Sequence, residues 1–136
     1  MGCIFCDIAS GKLDAHRIFE DEEVTVFLDA FPVNAGHMLV VPKKHVKGLS
    51  ELDDRLGGRL FNISKRMAEA SEKALGAESA NIVTAPATIE HFHVHVIPRY
   101  DYDLMGLLAD LDNKRELPDE EMTEIESKLK KELARG

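Results

Sequence analysis

Residues 89–100 read IEHFHVHVIPRY, and from His91 to Val96 histidine alternates with an apolar residue at every step. A period of two predicts a strand with one buried face, because successive strand side chains point to opposite sides of the sheet. Phe92, Val94 and Val96 then belong to the core, while His91, His93 and His95 share the other face. At about 3.3 Å per residue, neighbouring imidazoles on that face lie about 6.5 to 7 Å apart. Such neighbours disfavour one another's protonation, and the ordinary histidine pKa of about 6.5 already leaves most rings neutral at pH 7. Neutral imidazole is a nucleophile, a general base or a metal ligand. This strand holds half of the chain's six histidines, so it is a candidate functional strand as well as a core element.

The remaining segments supply partners for that strand. RIFEDEEVTVFLDAF reads as two strands broken at the acidic turn Glu20 to Glu23. GHMLVVPKKH is a third, lacking polar alternation and so expected to be covered on both faces. Together the three predict an antiparallel meander. SELDDRLGGRLFNISKRMAEASEKALG then changes period, with Leu52, Leu56, Leu60, Ile63, Met67 and Ala74 near one helical stripe. Ser50 with Asp53 is a variant capping box and Gly76 a C-terminal stop. Gly57 and Gly58 each weaken this helix by about 1 kcal/mol relative to Ala, and one long helix remains the expectation. ANIVTA is a short strand before the histidine strand. A last helix is expected from Pro118, burying Met122, Ile125, Leu129 and Leu133.

Composition limits the function classes. With 136 residues, residues 1–136 are expected to form a single domain. The net charge of −8, with acidic residues concentrated in the C-terminal third, argues against nucleic-acid binding, which needs a basic surface. Apolar runs such as MLVV are too short to span a bilayer, and MGCIFCDIASG lacks the features of a secretory signal. A cytoplasmic protein is expected. Cys3 and Cys6 form one C-x-x-C, a spacing that in a reducing compartment suggests a metal site or redox pair rather than a structural disulfide.

HFHVHVI matches an alternating histidine signature, and HVIPRY, CIFCDIASG and EDEEVTVFLDAFPVNAGHMLVVPKKHV fit in order around it. On these blocks the chain resembles the histidine triad (HIT) family over most of residues 1 to 100. The resemblance implies an α+β, HIT-like fold: a five-stranded antiparallel sheet with one long helix and a C-terminal helix. It implies a nucleotidyl hydrolase or transferase that cleaves the α-phosphate bond of a nucleoside phosphoramidate or dinucleoside polyphosphate. His93 would be the nucleophile, forming a covalent nucleotidyl-histidine. His95 would hydrogen-bond the phosphate or leaving group, and Asp29 would accept from the ribose hydroxyls. Ile18, Phe19, Phe27 and Leu28 are candidate walls for the base.

The resemblance extends to a zinc-containing branch in which the C-x-x-C joins two histidines. Cys3, Cys6, His45 and His91 occupy those positions, implying a structural Zn²⁺ that the chemistry does not require. A homodimer is implied as well. His16 is expected at the surface and His37 in local hydrogen bonding. The chain departs from the family's pattern just before the triad, where Pro86 and Ala87 replace a phosphate-binding Gly-Gln pair. Pro86 has no N–H to donate, whereas Thr88 is expected to contact phosphate. Arg99, Lys43 and Lys44 are available cations. Two other readings stay open: a metal-dependent hydrolase with the triad as ligands, and a non-catalytic nucleotide-binding scaffold.

Overall fold

The computed structural model describes residues 2–85 and 89–136. Five strands, β1 (Arg17–Glu20), β2 (Val24–Leu28), β3 (Met38–Pro42), β4 (Ser79–Val83) and β5 (Val94–Arg99), form one antiparallel sheet. Their order across it is β1-β2-β3-β5-β4. β1 to β3 are the expected meander. The long connection from β3 to β4 carries the main helix, and β5 then inserts between β3 and β4. All five residues of β3 are buried, as its unbroken apolar run requires.

One face of the sheet is covered by helices α2 (Asp54–Leu75) and α3 (Asp119–Arg135). Leu56, Leu60, Ile63 and Met67 of α2 pack with Val26, Val40, Phe92, Val94 and Val96, and α3 adds Met122, Ile125 and Leu129. Leu133 packs on the margin of this core. Two serines on the buried side of α2 bond to carbonyls one turn back, Ser64 to Leu60 and Ser71 to Met67, so no hydroxyl there goes unpaired. The opposite face of the sheet carries a smaller apolar layer in which Phe5 and Ile8 of a short helix, α1 (Ile4–Ala9), meet Phe27, Leu39 and Val41. Among the described residues no helix is long and apolar enough to cross a membrane.

Several boundaries differ from those read from sequence. Helix α2 begins after Asp53, whose Oδ1 accepts the Leu56 N–H at 2.8 Å; Ser50 lies instead in a 3₁₀ turn, Leu49–Glu51. The C-terminal stop is Gly76, left-handed with φ of 75°. Pro118 is the N-cap of α3 rather than its first helical residue. His16 does more than sit at the surface: it is half-buried and contacts carboxylates of Asp119 and Glu126, each at 3.0 Å, tying α3 to the chain before β1.

β5 starts at Val94, so His91 and His93 precede the paired strand. The cause lies in Pro42, opposite them at the end of β3. It has no N–H for the ladder, and its carbonyl accepts from the His91 imidazole at 2.7 Å. The Phe92 N–H bonds instead to the Val46 carbonyl at 2.6 Å. The alternation of faces nevertheless continues, with Phe92, Val94 and Val96 all in the helix-side core.

The cap assignment gives a direct test. Asp53→Ala should cost about 1 kcal/mol of stability in urea denaturation, and Ser50→Ala only a few tenths. The reverse order would return the start of the helix to Ser50.

Candidate active site and metal centre

The face opposite α2 gathers the functional side chains. His95 stands on β5 opposite Leu39 of β3. Two residues before Leu39, His37 enters the same face from the turn that joins β2 to β3. Asp29 opens that turn immediately after β2, and its N–H bonds to the His37 carbonyl at 2.9 Å, closing the loop. Gly36 holds φ of 84° there, and a Cβ would meet Leu75 Cδ1 at 2.5 Å, so this position requires glycine.

The hydrogen bonds determine which nitrogens carry protons. A carbonyl only accepts, so His93 donates from Nδ1 to the His91 carbonyl at 2.8 Å, and in the neutral ring the lone pair is on Nε2. The Val33 N–H donates to His37 Nδ1 at 3.2 Å. His37 is therefore protonated on Nε2, and it donates to His95 Nδ1 at 2.9 Å. His95 in turn carries its own proton on Nε2. The His93 and His95 rings lie 4.9 Å apart, and the Phe5 ring packs at right angles to His93 at 4.9 Å. In that tautomer the Nε2 lone pair of His93 lies beside the N–H donor of His95.

Burial is the main reason that His37 and His95 titrate low, each pushed down to about 4. The positive charge that neighbouring His93 can carry adds to both shifts, and Lys114 contributes as well. Burial also raises the Asp29 carboxyl, against the Phe31 N–H bond to Oδ1 and nearby positive charge. That bond, at 2.9 Å, is the turn role expected of an Asp at a strand end. Oδ2 lies 3.6 Å from His37 Nε2, so the carboxylate still faces the histidines. An open cavity of about 420 Å³ adjoins His93, lined by Lys47, Thr84, Glu90 and His91 among others.

A second constellation lies at the N-terminus. The ligating atoms of Cys3, Cys6, His45 and His91 all fall within 4.8 Å of one another. His91 Nδ1 is 3.2 Å from Cys3 Sγ and 3.4 Å from Cys6 Sγ, and His45 Nδ1 is 3.3 Å from Cys6 Sγ. Tetrahedral zinc with two sulfur and two nitrogen ligands sets sulfur–nitrogen edges of about 3.5 Å, so the set is nearly at ligation spacing. Because His91 donates from Nε2 to Pro42, its Nδ1 lone pair points at the thiols, the outer-shell orientation metal-bound histidines need. Neither cysteine is in a disulfide. Burial and the adjacent Cys3 push the Cys6 thiol up, so holding both as thiolates calls for a cation between them.

The triad is thus divided. His91 joins the cysteines and His95 joins His37, and among the described residues the three imidazoles do not form one donor set. The triad is therefore not gathered as the ligands of one metal, as that alternative reading requires. Of the expected base-pocket walls, Ile18 and Leu28 belong to the helix-side core and Phe19 packs against it, leaving Phe27 on the site face. Lys43 pairs with Glu20 at 2.8 Å, and Arg99 is engaged by Asp103 at 2.9 Å. Thr88, Pro86 and Ala87 lie outside the described residues. His37 is the residue that sequence reasoning missed, because its role depends on which residue β3 places opposite His95.

A match to the HIT domain model spans residues 10–102. An uncharacterized HIT-like protein of Mycoplasma genitalium is 36% identical over 132 residues, covering 93% of this chain and 94% of that protein. A crystal structure of a Zn-bound histidine triad family protein from Mycobacterium smegmatis superposes with a TM-score of 0.83 at 32% identity, over 99% of this chain and 95% of that one. A hypothetical histidine triad nucleotide-binding protein of Sulfolobus tokodaii gives 0.86 at 28% identity, over 98% and 93%. Fold and site define a histidine triad protein with an N-terminal thiol–imidazole cluster. The chain belongs to the HIT family.

The neutral pair leaves a signature in stability. Unfolded histidines bind protons below about pH 6.5, whereas His37 and His95 in the fold resist until about 4. The unfolded state therefore takes up the extra protons in that window. Stability should be full above about pH 6.5 and fall as the pH drops toward about 4. Urea unfolding at about pH 7.5 and about pH 5 measures this slope. His37→Gln, which removes one titrating group, should flatten it, and an unchanged slope would count against burial of the neutral ring.

Proposed function

We propose that this protein is a nucleotidyl hydrolase or transferase that cleaves the α-phosphate bond of a nucleoside phosphoramidate or dinucleoside polyphosphate through a covalent intermediate at His93. The observation that carries the reading is the 2.8 Å bond from His93 Nδ1 to the His91 carbonyl, which in the neutral ring assigns the lone pair to Nε2 and holds it in place. In the first step a bond forms from Nε2 to phosphorus, and the leaving group departs with the electron pair of the bond it loses. Water then displaces His93 in the second step. His95, its tautomer set by His37, offers an N–H to a phosphoryl oxygen or to the leaving atom. Asp29 accepts from the ribose hydroxyls, and Phe27 contributes an apolar wall for the base. The cavity beside His93 gives the leaving group room.

Cys3, Cys6, His45 and His91 are assigned to a structural Zn²⁺, supported by their spacing and by the Zn-bound relative. When bound, the ion supplies a crosslink and no chemistry. It ties α1 and the chain after β3 to His91, whose carbonyl holds the nucleophile. Metal analysis should find about one zinc per chain, and chelation or Cys6→Ser should lower the melting temperature. Phosphoramidase activity should survive chelation at temperatures where the fold persists.

A cytoplasmic two-fold dimer completes the reading. β4 is an edge strand, and exposed Ile82, Tyr102, Leu104, Leu107 and Leu108 are the kind of apolar surface that association covers.

Trapping an acid-labile phosphorus–nitrogen adduct with adenosine phosphoramidate tests the chemistry. Wild type should form it, while His93→Ala should abolish it and reduce turnover by about 10³-fold or more. AMP binding with neither adduct nor turnover would leave a nucleotide-binding scaffold in place of the enzyme.

A further inference from the structure

None of Phe27, Asp29, His37 and His95 lines the cavity of about 420 Å³ beside His93, so this space is separate from the contacts assigned to the nucleoside. One of its walls is the chain after β3, which is tied down at three consecutive residues. His45 Nδ1 faces Cys6 Sγ at 3.3 Å, the buried Val46 gives its carbonyl to the Phe92 N–H at 2.6 Å, and the Lys47 N–H bonds to Glu51 Oε1 at 3.4 Å. Phe92 stands between His91 and His93, so Lys47 directly follows the residue that braces the nucleophile's segment.

Lys47 is exposed and lines the cavity, and among the described residues it is the only lysine or arginine that does so. Its ammonium forms no ion pair among the described residues. Other cations are committed elsewhere: Lys43 pairs with Glu20 and Arg99 with Asp103. Arg115 is fastened to the turn between β2 and β3, its N–H on the Pro32 carbonyl and its guanidinium on the Val33 carbonyl and Asn34 Oδ1, all at 3.0 Å. Glu51 and Glu90 line the same cavity as Lys47, and neither pairs with it. Without this ammonium the charged side chains of the wall would all be acidic and would repel an anion; with it, one charged donor is free for a ligand. The histidines favour an anion too. His95 stays neutral down to about 4, mainly because it is buried, so at pH 7 it offers a hydrogen bond rather than a proton. An amine needs a proton in order to leave, whereas a phosphate departs as a stable anion.

We propose that Lys47 is the specificity-determining residue of a leaving-group subsite in the cavity beside His93, selecting leaving groups that depart as phosphate anions. It rests on the nucleotidyl-transfer reading of His93. As the bond from Nε2 to the α-phosphorus forms, the bond from that phosphorus to the bridging oxygen breaks. Its electron pair stays on the oxygen, which becomes a terminal phosphate oxygen held by the ammonium.

Steady-state kinetics of the full chain with diadenosine triphosphate and with adenosine phosphoramidate read the selection. Lys47→Met should lower kcat/KM for the triphosphate about tenfold more than for the phosphoramidate, and Lys47→Arg should keep most of the wild-type ratio. Glu90→Gln removes a repelling charge and should shift the ratio the other way, by about two- to threefold. An unmoved ratio in Lys47→Met, or a shift in Glu90→Gln toward the phosphoramidate, would overturn the subsite while nucleotidyl transfer stands. Should wild type turn over neither substrate, the covalent chemistry fails and calorimetry decides the subsite alone. Lys47→Met should then weaken diadenosine triphosphate binding about tenfold more than AMP binding, and equal effects on the two would overturn it. Because the side chain is exposed, the melting temperature of Lys47→Met should match wild type and exclude misfolding as the cause.

Discussion

Burial of Phe92, Val94 and Val96 against α2 determines where the chemistry can be. Each apolar side chain taken out of water contributes about 1.5 to 3 kcal/mol, and the three lie in one core with Leu60, Ile63 and Met67. A slip of one residue would expose all three and drive imidazoles into that core. The packing of one face thus fixes the register that presents the histidines on the other. It also places His95 opposite Leu39, two residues from His37.

Given that common face, the histidines are told apart by what their second nitrogen touches. His91 gives its Nε2 proton to the Pro42 carbonyl and turns Nδ1 toward sulfur. His93 gives its Nδ1 proton to the main chain and turns Nε2 outward. His95 accepts on Nδ1 from a buried histidine and so presents a donor. Identical side chains thus turn a different nitrogen to a different neighbour: one to the thiols, one to the open side and one to a buried histidine. The proline that ends β3 contributes to this, because a residue with an N–H there would have competed for the ladder that His91 leaves.

Much of this was legible in the order of residues. Periodicity located all five strands and both long helices, and the strict alternation around Val94 separated core from site. Legibility failed where a role depends on pairing between distant segments. His37 follows Gly36 in an ordinary strand entrance, and only the β3–β5 register brings it to His95. The walls of the base pocket were left open for a related reason: all of Val24 to Leu28 is buried, so burial does not single out which of them meets a ligand. Helix α1 is six residues long, too short to show a period. Capping was misjudged because Ser50 and Asp53 both suit the position and only the chain's path chooses between them.

The Arg115 anchor has a consequence for how such a protein diversifies. The histidines and thiols lie on elements whose geometry the sheet dictates, so change there risks the whole scaffold. The segment just before α3 is fastened to the turn between β2 and β3 through main-chain carbonyls and Asn34, and the carbonyls make few demands on side-chain identity. Drift in that segment can therefore proceed beside a constant sheet, as an exchangeable rim on a fixed core.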